Sequence, residues 1–228
     1  MKDKKTVSQT FLIVAALYIT CLLLSNLIAG KMWAVTDSIT LPAAVILFPV
    51  TYILGDVFTE VYGFRNARTV IWLGFVCSFF AVVIYLITIA LPHPGFWTHQ
   101  EAYATVMGTT PRVAAASFIG YLFGEFSNSM VLSRLKVATR GRRLWMRTIL
   151  STVVGEGFDS ILFVTISFWG VMDNATVLRM ILFQYLFKVG YEVLFTPVTY
   201  AVVRWMKKTE QVDTFDDNIK YHVVGGNE

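Results

Sequence analysis

The sequence contains few charged residues and few cysteines. Of its 228 residues, 15% are charged and 56% are hydrophobic, whereas soluble domains average about 25% charged and about 45–50% apolar residues. The two cysteines, Cys21 and Cys77, lie within long apolar runs and lack the Cys-x-x-Cys spacing of a metal site. This composition argues against a soluble enzyme, a disulfide-rich secreted module and a disordered chain.

The sequence also lacks the motifs of several enzyme classes. It contains no Walker lysine loop, no His-Glu-x-x-His pair and no Gly-x-Ser-x-Gly elbow. Its three histidines, His93, His99 and His222, fall in predicted loops or in the tail. We therefore do not expect an ATPase, a zinc protease or a serine hydrolase, and the sequence predicts no cofactor and no metal site.

Long apolar runs dominate what is present. Residues 10–29 and 70–91 carry no charge, and each run reaches the roughly 20 residues that cross a hydrocarbon core of about 30 Å. Such runs must be helical, because lipid offers no hydrogen-bond partners to their backbone. Four further apolar blocks contain embedded polar residues, at 41–63, 113–135, 148–170 and 176–206. The sequence thus predicts an all-α, polytopic membrane protein with a bundle of six transmembrane helices.

The second predicted span is interrupted by Pro49, which removes a helical hydrogen bond and leaves carbonyl groups free. Broken helices are typical of binding sites in transporters, although a simple kink explains the proline equally well. We expect three parts in the chain. They are a cytoplasmic N-terminus at 1–9, a six-span transporter domain at 10–206, and a flexible cytoplasmic tail at 207–228.

Basic residues are distributed unevenly between the predicted loops. Fifteen of the 19 lysines and arginines fall on the side of the two termini, three fall on the opposite side, and Lys188 lies within the last span. Because basic residues mark the cytoplasmic side of a membrane, both termini are expected to be cytoplasmic. No aromatic-interleaved basic motif indicates a nucleic-acid partner.

Ionisable residues within the predicted spans are mostly acidic. There are six acids and one base: Asp56, Glu60, Glu125, Glu156, Asp159, Glu192 and Lys188. A charge at the bilayer centre costs a few kcal/mol, so these groups must be protonated, paired, or in contact with water or a ligand. Ion pairing with Arg65 explains Glu60 as well as a function does, and pairing with Lys188 one turn away explains Glu192 equally well.

Helical spacing aligns these residues with other polar and aromatic side chains on one face of each span. The stripes are Ser117, Tyr121, Gly124, Glu125 and Asn128; Thr152, Glu156, Asp159, Phe163 and Ser167; and Gln184, Lys188, Tyr191, Glu192 and Phe195. The stripes predict a polar cavity between spans two, four, five and six. Gly120 and Gly124 allow close packing against a helix of the same chain or of a second copy in a homo-oligomer.

Several motifs resemble the queuosine precursor transporter family, also called the vitamin uptake transporter (VUT) family, over about residues 10–206. They are Ser25-Asn26, FPVTYILGDVFTEVYG at 48–63, Ala116-Ser117-Phe118-Ile119-Gly120-Tyr121 with Gly124, Ser151-Thr152 with Asp159, and Phe187-Lys188 with Pro197. The resemblance implies a bacterial inner-membrane carrier that imports 7-deazaguanines, such as preQ0 or preQ1, without a known ATPase partner. It also implies binding roles for Asn26, Asp56, Asp159 and Lys188.

We therefore predict that a deazapurine binds in a midplane pocket near Pro49. Asp56 or Asp159 accepts hydrogen bonds from its guanine-like edge, and Lys188 neutralises one acid and exchanges partners. The rings expected to stack on the substrate are Tyr52, Tyr121, Phe158 or Tyr191. The predicted substrate-binding residues are Asn26, Tyr52, Asp56, Tyr121, Glu125, Asn128, Glu156, Asp159, Gln184 and Lys188.

Two alternative functions remain open from the sequence. The first is a substrate-binding membrane subunit of an energy-coupled vitamin or nucleobase uptake system, with the basic loop at 134–147 docking an ATPase. The second is an intramembrane enzyme that uses Glu156 and Asp159. The enzyme is the weaker alternative, because no nucleophile or metal set accompanies the two carboxylates.

Overall fold

A computed structural model describes residues 8–36, 39–108, 111–217, 219 and 221–223. It contains seven α-helices in the described residues, together with one β-hairpin and a short 3₁₀ helix. The elements are α1 (Gln9–Ile28), β1 (Met32–Thr36), β2 (Ile39–Pro42), the 3₁₀ helix (Ala43–Ile46), α2 (Phe48–Tyr62), α3 (Phe64–Ala90), α4 (Gln100–Met107), α5 (Pro111–Ala138), α6 (Leu144–Phe168) and α7 (Asn174–Glu210).

Four of these helices, α1, α3, α6 and α7, are long and apolar enough to cross a membrane. This confirms the prediction of a helical membrane protein. Helix α5 has 28 residues, a length of about 42 Å, but it is less apolar than α1, α3 and α6. Helix α2 has only 15 residues, a length of about 22 Å.

The region before α2 differs from the predicted helical span with a break at Pro49. Strands β1 and β2 form an antiparallel hairpin with an irregular register between Ala34 and Thr36, which an all-α fold does not include. Pro49 lies in the first turn of α2, where its missing N–H removes no helical hydrogen bond. The break therefore precedes α2 and separates it from the 3₁₀ helix at Leu47.

Glycines let α5 and α6 approach closely along their length. A Cβ at Gly120 would lie 2.8 Å from Asp159 Oδ1, and one at Gly155 would lie 2.7 Å from the Cβ of Asn128. Both distances are shorter than any ordinary contact. The predicted close packing at Gly120 and Gly124 is confirmed, and the neighbouring helix is α6 of the same chain.

Hydroxyl groups connect α1, α3 and α5 within the bundle. The hydroxyls of Tyr18 and Tyr121 are 2.9 Å apart, and Tyr121 also donates to the carbonyl of Ile71 at 2.9 Å. Tyr18 is completely buried, and its ring meets Phe58 edge to face. These contacts fix the position of Tyr121 on the side of α5 that faces the cavity described below.

Helix α7 continues to Glu210, beyond the expected domain boundary at 207. The segment that follows lies against the bundle. The Thr214 N–H donates to the Val61 carbonyl at 3.1 Å, and the Asp216 carboxylate accepts from the Phe64 N–H at 2.8 Å. The sequence predicts a flexible tail here. Residues 214–216 instead make specific contacts with the start of α3 and the end of α2.

The junction between α2 and α3 is a single glycine. Gly63 has φ +80°, in the left-handed region that favours glycine, and it forms the entire connection between the two helices. A Cβ at this position would lie 2.8 Å from both Asp216 and Thr214. The glycine therefore permits both the sharp turn and the close approach of the chain after α7.

Candidate substrate-binding site

Lys188 of α7 is the centre of a buried ion-pair cluster. Its Nζ lies 2.5 Å from Asp159 Oδ2 and 2.7 Å from Glu156 Oε2, and both acids belong to α6. Glu156 is almost completely buried, whereas the Asp159 side chain is 15% exposed. The rings of Phe48 and Tyr52 lie 5.3 and 5.8 Å from Nζ, within the range of a cation–π contact.

A cavity opens beside Asp159 and Lys188. Its empty space, including the mouth, is about 420 Å³. Its walls stand close together and leave room for little more than a water molecule. The lining residues are Ala29, Pro42, Ala44, Val45, Phe48, Ser117, Tyr121, Asp159, Phe163, Gln184 and Lys188.

Two polar groups on this wall are available to a ligand. Asp159 is the more exposed of the two carboxylates that Lys188 holds. The Gln184 side chain is 4% exposed, and its Oε1 accepts no hydrogen bond from the described residues. The wall thus presents a lysine-paired carboxylate and an amide oxygen, both hydrogen-bond acceptors, beside the rings of Tyr121 and Phe163.

A larger outer cavity adjoins the first. It has about 1260 Å³ of empty space, including its mouth, and shares Ala29, Pro42, Ser117 and Phe163 with the inner cavity. Asn26 lines this outer cavity and donates to Ser78 Oγ at 3.3 Å. The two cavities therefore lie side by side, at the end of the bundle that carries the hairpin and α4.

Five of the predicted binding residues lie behind these cavities instead of on their walls. They are Tyr52, Asp56, Glu125, Asn128 and Glu156, all buried. Asn128 Nδ2 donates to Asp56 Oδ1 at 2.6 Å. Asp159 lines the inner cavity and Asp56 does not, so the two aspartates do not share one hollow.

Two of the rings expected to stack on a ligand face elsewhere. Phe158 is 47% exposed on the outer surface of α6. Tyr191 stacks on Phe195, with ring centroids 4.1 Å apart and an interplanar angle of 5°. Sequence reasoning missed Phe48, which lines the inner cavity, because an aromatic residue at a helix start gives no signal of its direction.

Glu60 forms a second ion-pair cluster at the opposite end of the bundle. Its carboxylate pairs with both guanidinium nitrogens of Arg147, at 2.9 and 3.1 Å, and with Lys207 Nζ at 2.7 Å. Lys136 donates to the Glu60 carbonyl and to Asp213, each at 2.5 Å, and Asp213 also pairs with Lys207 at 2.8 Å. This Glu60 cluster connects α2, α5, α6, α7 and the segment after α7.

The ion pairs correct two sequence-based interpretations. Lys188 pairs with Glu156 and Asp159 across the helix interface, and not with Glu192 on its own helix. The ion-pair partner predicted for Glu60 was Arg65. The structure instead pairs Glu60 with Arg147 and Lys207, which are far away along the chain.

Asp213 lies outside the helices, where its carboxyl is half exposed. Burial raises the pKa of this carboxyl, but hydrogen bonds from Lys136 and Lys207 outweigh that effect and hold the pKa below its ordinary value. Asp213 is therefore ionised at neutral pH and supplies the second carboxylate of the Glu60 cluster.

Residues 42–202 match the sequence profile of the family described as "Putative vitamin uptake transporter". The chain belongs to this family. The resemblance noted from the motifs is confirmed, and the protein is a membrane transporter and not an enzyme. The region matched to the vitamin uptake transporter family contains both ion-paired acids of α6 and Lys188.

Curated relatives of this family member come from several bacteria. A Bacillus subtilis (strain 168) protein named "Probable queuosine precursor transporter" is 27% identical over 168 residues, which cover 73% of each chain. An Escherichia coli (strain K12) protein named "Queuosine precursor transporter" is 28% identical over 159 residues, 68% of this chain and 69% of the relative. No solved structure matches the chain.

Proposed function

We propose that the protein imports queuosine precursors, 7-deazaguanines such as preQ0 or preQ1, across the bacterial inner membrane. The names of the curated relatives support this substrate class. The observation that carries the proposal is the partly exposed Asp159 carboxylate, paired with buried Lys188 on a cavity wall that also presents Gln184.

The helix lengths support six spans in the proposed arrangement. Helices α1, α3, α6 and α7 cross individually, and α5 is long enough to do so. Helix α2 and the preceding 3₁₀ helix, stacked end to end, would reach about 30 Å, the thickness of the hydrocarbon core. The distribution of basic residues supports cytoplasmic termini, and it assigns the end with the Glu60 cluster to the cytoplasm.

Recognition in this proposal uses the acceptors of the inner cavity. The Asp159 carboxylate accepts the two parallel N–H groups of a guanine-like edge, and Lys188 holds that carboxylate in place. Gln184 adds a further acceptor, and Tyr121 and Phe163 offer ring faces for stacking. Because the cavity is narrow, its walls must move apart to admit a two-ring ligand.

The two ends of the bundle support alternating access. The two adjoining cavities lie between the hairpin end and Asp159, whereas the Glu60 cluster joins four helices at the other end. In the proposed cycle the substrate enters from the outside, and release to the cytoplasm requires this cluster to separate.

The test is uptake of labelled preQ0 or preQ1 by cells that cannot make these precursors. Asp159→Asn should reduce uptake about tenfold or more, the effect of losing hydrogen bonds to a charged group. Folding should survive, because Glu156 still pairs with Lys188. Phe158→Leu, which changes the adjacent exposed residue, serves as the matched control. Undiminished uptake by Asp159→Asn at an equal membrane level would remove this site from the proposal.

We further propose that the chain transports without an ATPase subunit. Two of the six basic residues at 134–147, Lys136 and Arg147, are 2% and 1% exposed within the Glu60 cluster and unavailable to a partner. The other four, Arg134, Arg140, Arg142 and Arg143, are exposed, and they are the residues that such a partner would have to contact. Purified protein in liposomes should take up the precursor without ATP. Uptake only after addition of an ATPase complex would favour the substrate-binding subunit instead.

A further inference from the structure

Three buried acids lie away from the basic side chains of both clusters. Asp56 and Glu125 are fully buried, and Glu192 is 2% exposed. In the part of the chain that the structure describes, none of the three has a lysine or arginine nitrogen within 4 Å, because Lys188 pairs with other acids and the remaining buried bases belong to the Glu60 cluster. Ionised carboxylates in this setting would carry a penalty of several kcal/mol each.

The surroundings of Asp56 suit a protonated carboxyl. Asn128 Nδ2 donates to Oδ1, while Oδ2 has no partner among the described residues. The Asn128 amide oxygen is also completely buried and without a hydrogen-bond donor in that same part of the chain. An amide oxygen left over beside a carboxyl can accept a hydrogen bond from the O–H group of that carboxyl when it is protonated.

Three acids face Asp56. Glu192 faces it from α7, Glu125 from α5, and Glu60 lies one turn away on α2 itself. Arg147 and Lys207 pair with Glu60, so these two cations do not neutralise Asp56. Mutual repulsion and burial both favour a bound proton on Asp56 and Glu192.

The position of these two acids connects the two ion-pair clusters. Asp56 precedes Glu60 by four residues on α2, and Glu192 follows Lys188 by four residues on α7. Each spacing is one helical turn. Loss of a proton from Glu192 would create a buried anion one turn from Lys188 and attract Lys188 away from Asp159. Loss of a proton from Asp56 would create one beside the Glu60 cluster and attract Lys207 away from Glu60.

We propose that Asp56 and Glu192 form a proton-binding site and that a proton crosses the membrane together with the substrate. In this symport the carboxyl O–H bond forms with a proton from the outer side and breaks by release of that proton to the cytoplasm. The ionised carboxylates then draw cations from the flanking clusters, and this exchange loosens the substrate site or the cytoplasmic closure. The inference rests on the proposed import function.

Purified protein in liposomes tests the coupling directly. With preQ0 as the probe, substrate influx should acidify a weakly buffered interior, as read by a trapped pH dye. An outwardly acidic gradient should raise the steady-state accumulation of preQ0 about tenfold per pH unit for one proton, and a protonophore should abolish the rise. Influx of preQ0 with neither effect would overturn the symport. Absence of preQ0 uptake and of preQ0–preQ0 exchange under any gradient would instead count against the proposed function.

Variants assign the coupling to these residues. The readout is the ratio of uptake with the gradient to uptake without it, which should fall to about one in Asp56→Asn and Glu192→Gln. Glu101→Gln, on exposed α4, is the matched control and should keep the ratio of the original protein. Asp56→Glu and Glu192→Asp retain a titratable carboxyl and should keep the ratio above one. A ratio unchanged in both amide variants would exclude Asp56 and Glu192 as the proton site.

Discussion

The Glu60 cluster allows a quantitative prediction about stability. Glu60 and Arg147 are each 1% exposed, and they form a two-pronged ion pair. The substitution Glu60→Gln would leave a buried guanidinium without its carboxylate, which typically costs about 3–5 kcal/mol. Because total stabilities are of order 5–15 kcal/mol, we expect a large fall in the thermal midpoint, measured by intrinsic fluorescence in detergent.

A double-mutant cycle separates the ion pair from general damage at the site. Arg147→Met alone should also destabilise, since it leaves Glu60 without its main partner. The combination Glu60→Gln with Arg147→Met should recover much of the loss, because a neutral pair avoids the unpaired charge. If Glu60→Gln alone left the midpoint unchanged, or if the two losses simply added, the buried ion pair would not stabilise this end of the bundle.

Two further predictions concern packing and pH. Gly124→Ala should lower the thermal midpoint and reduce uptake, because its Cβ would lie 2.5 Å from the Tyr52 hydroxyl. The control is Gly190→Ala, whose Cβ meets nothing within 4 Å and which should be neutral or slightly stabilising. Equal effects of the two substitutions would refute the packing argument. The pKa of Asp213 is lowered on folding, so its contribution is complete above its unfolded pKa of about 3.9 and is lost as pH falls through the lower folded value. Because Asp213 is half exposed, Asp213→Asn should reduce stability at neutral pH by about 1 kcal/mol or less, and the difference from the original protein should vanish in strong acid; a difference that grew on acidification would contradict this sign.

The inward-facing stripe of α6 was readable from the sequence. Glu156 and Asp159 follow helical spacing within an otherwise apolar run, and such acids must face protein, water or a ligand instead of lipid. The same reasoning selected Gln184 and Lys188 on α7. The structure brings Asp159, Gln184 and Lys188 to one cavity wall, because helical spacing fixes direction once one face must avoid lipid.

Long-range pairing was not readable. Lys188 has Glu192 one turn away, yet it pairs with acids of α6, since the close approach of two helices decides which carboxylates surround a buried ammonium. Glu60 finds partners 87 and 147 residues away. Aromatic residues were equally ambiguous. The sequence around Phe158 is compatible with contact to lipid or to a ligand, and only the packing of the helices shows that its ring is exposed on the outer surface of α6.

The contacts of residues 213–216 have a practical consequence for protein production. Shortening the chain before Asp213, as is common when membrane proteins are trimmed for crystallisation, would remove the carboxylate that bridges Lys136 and Lys207. It would also leave the first N–H of α3 without the Asp216 acceptor. A trimmed version should therefore keep these residues.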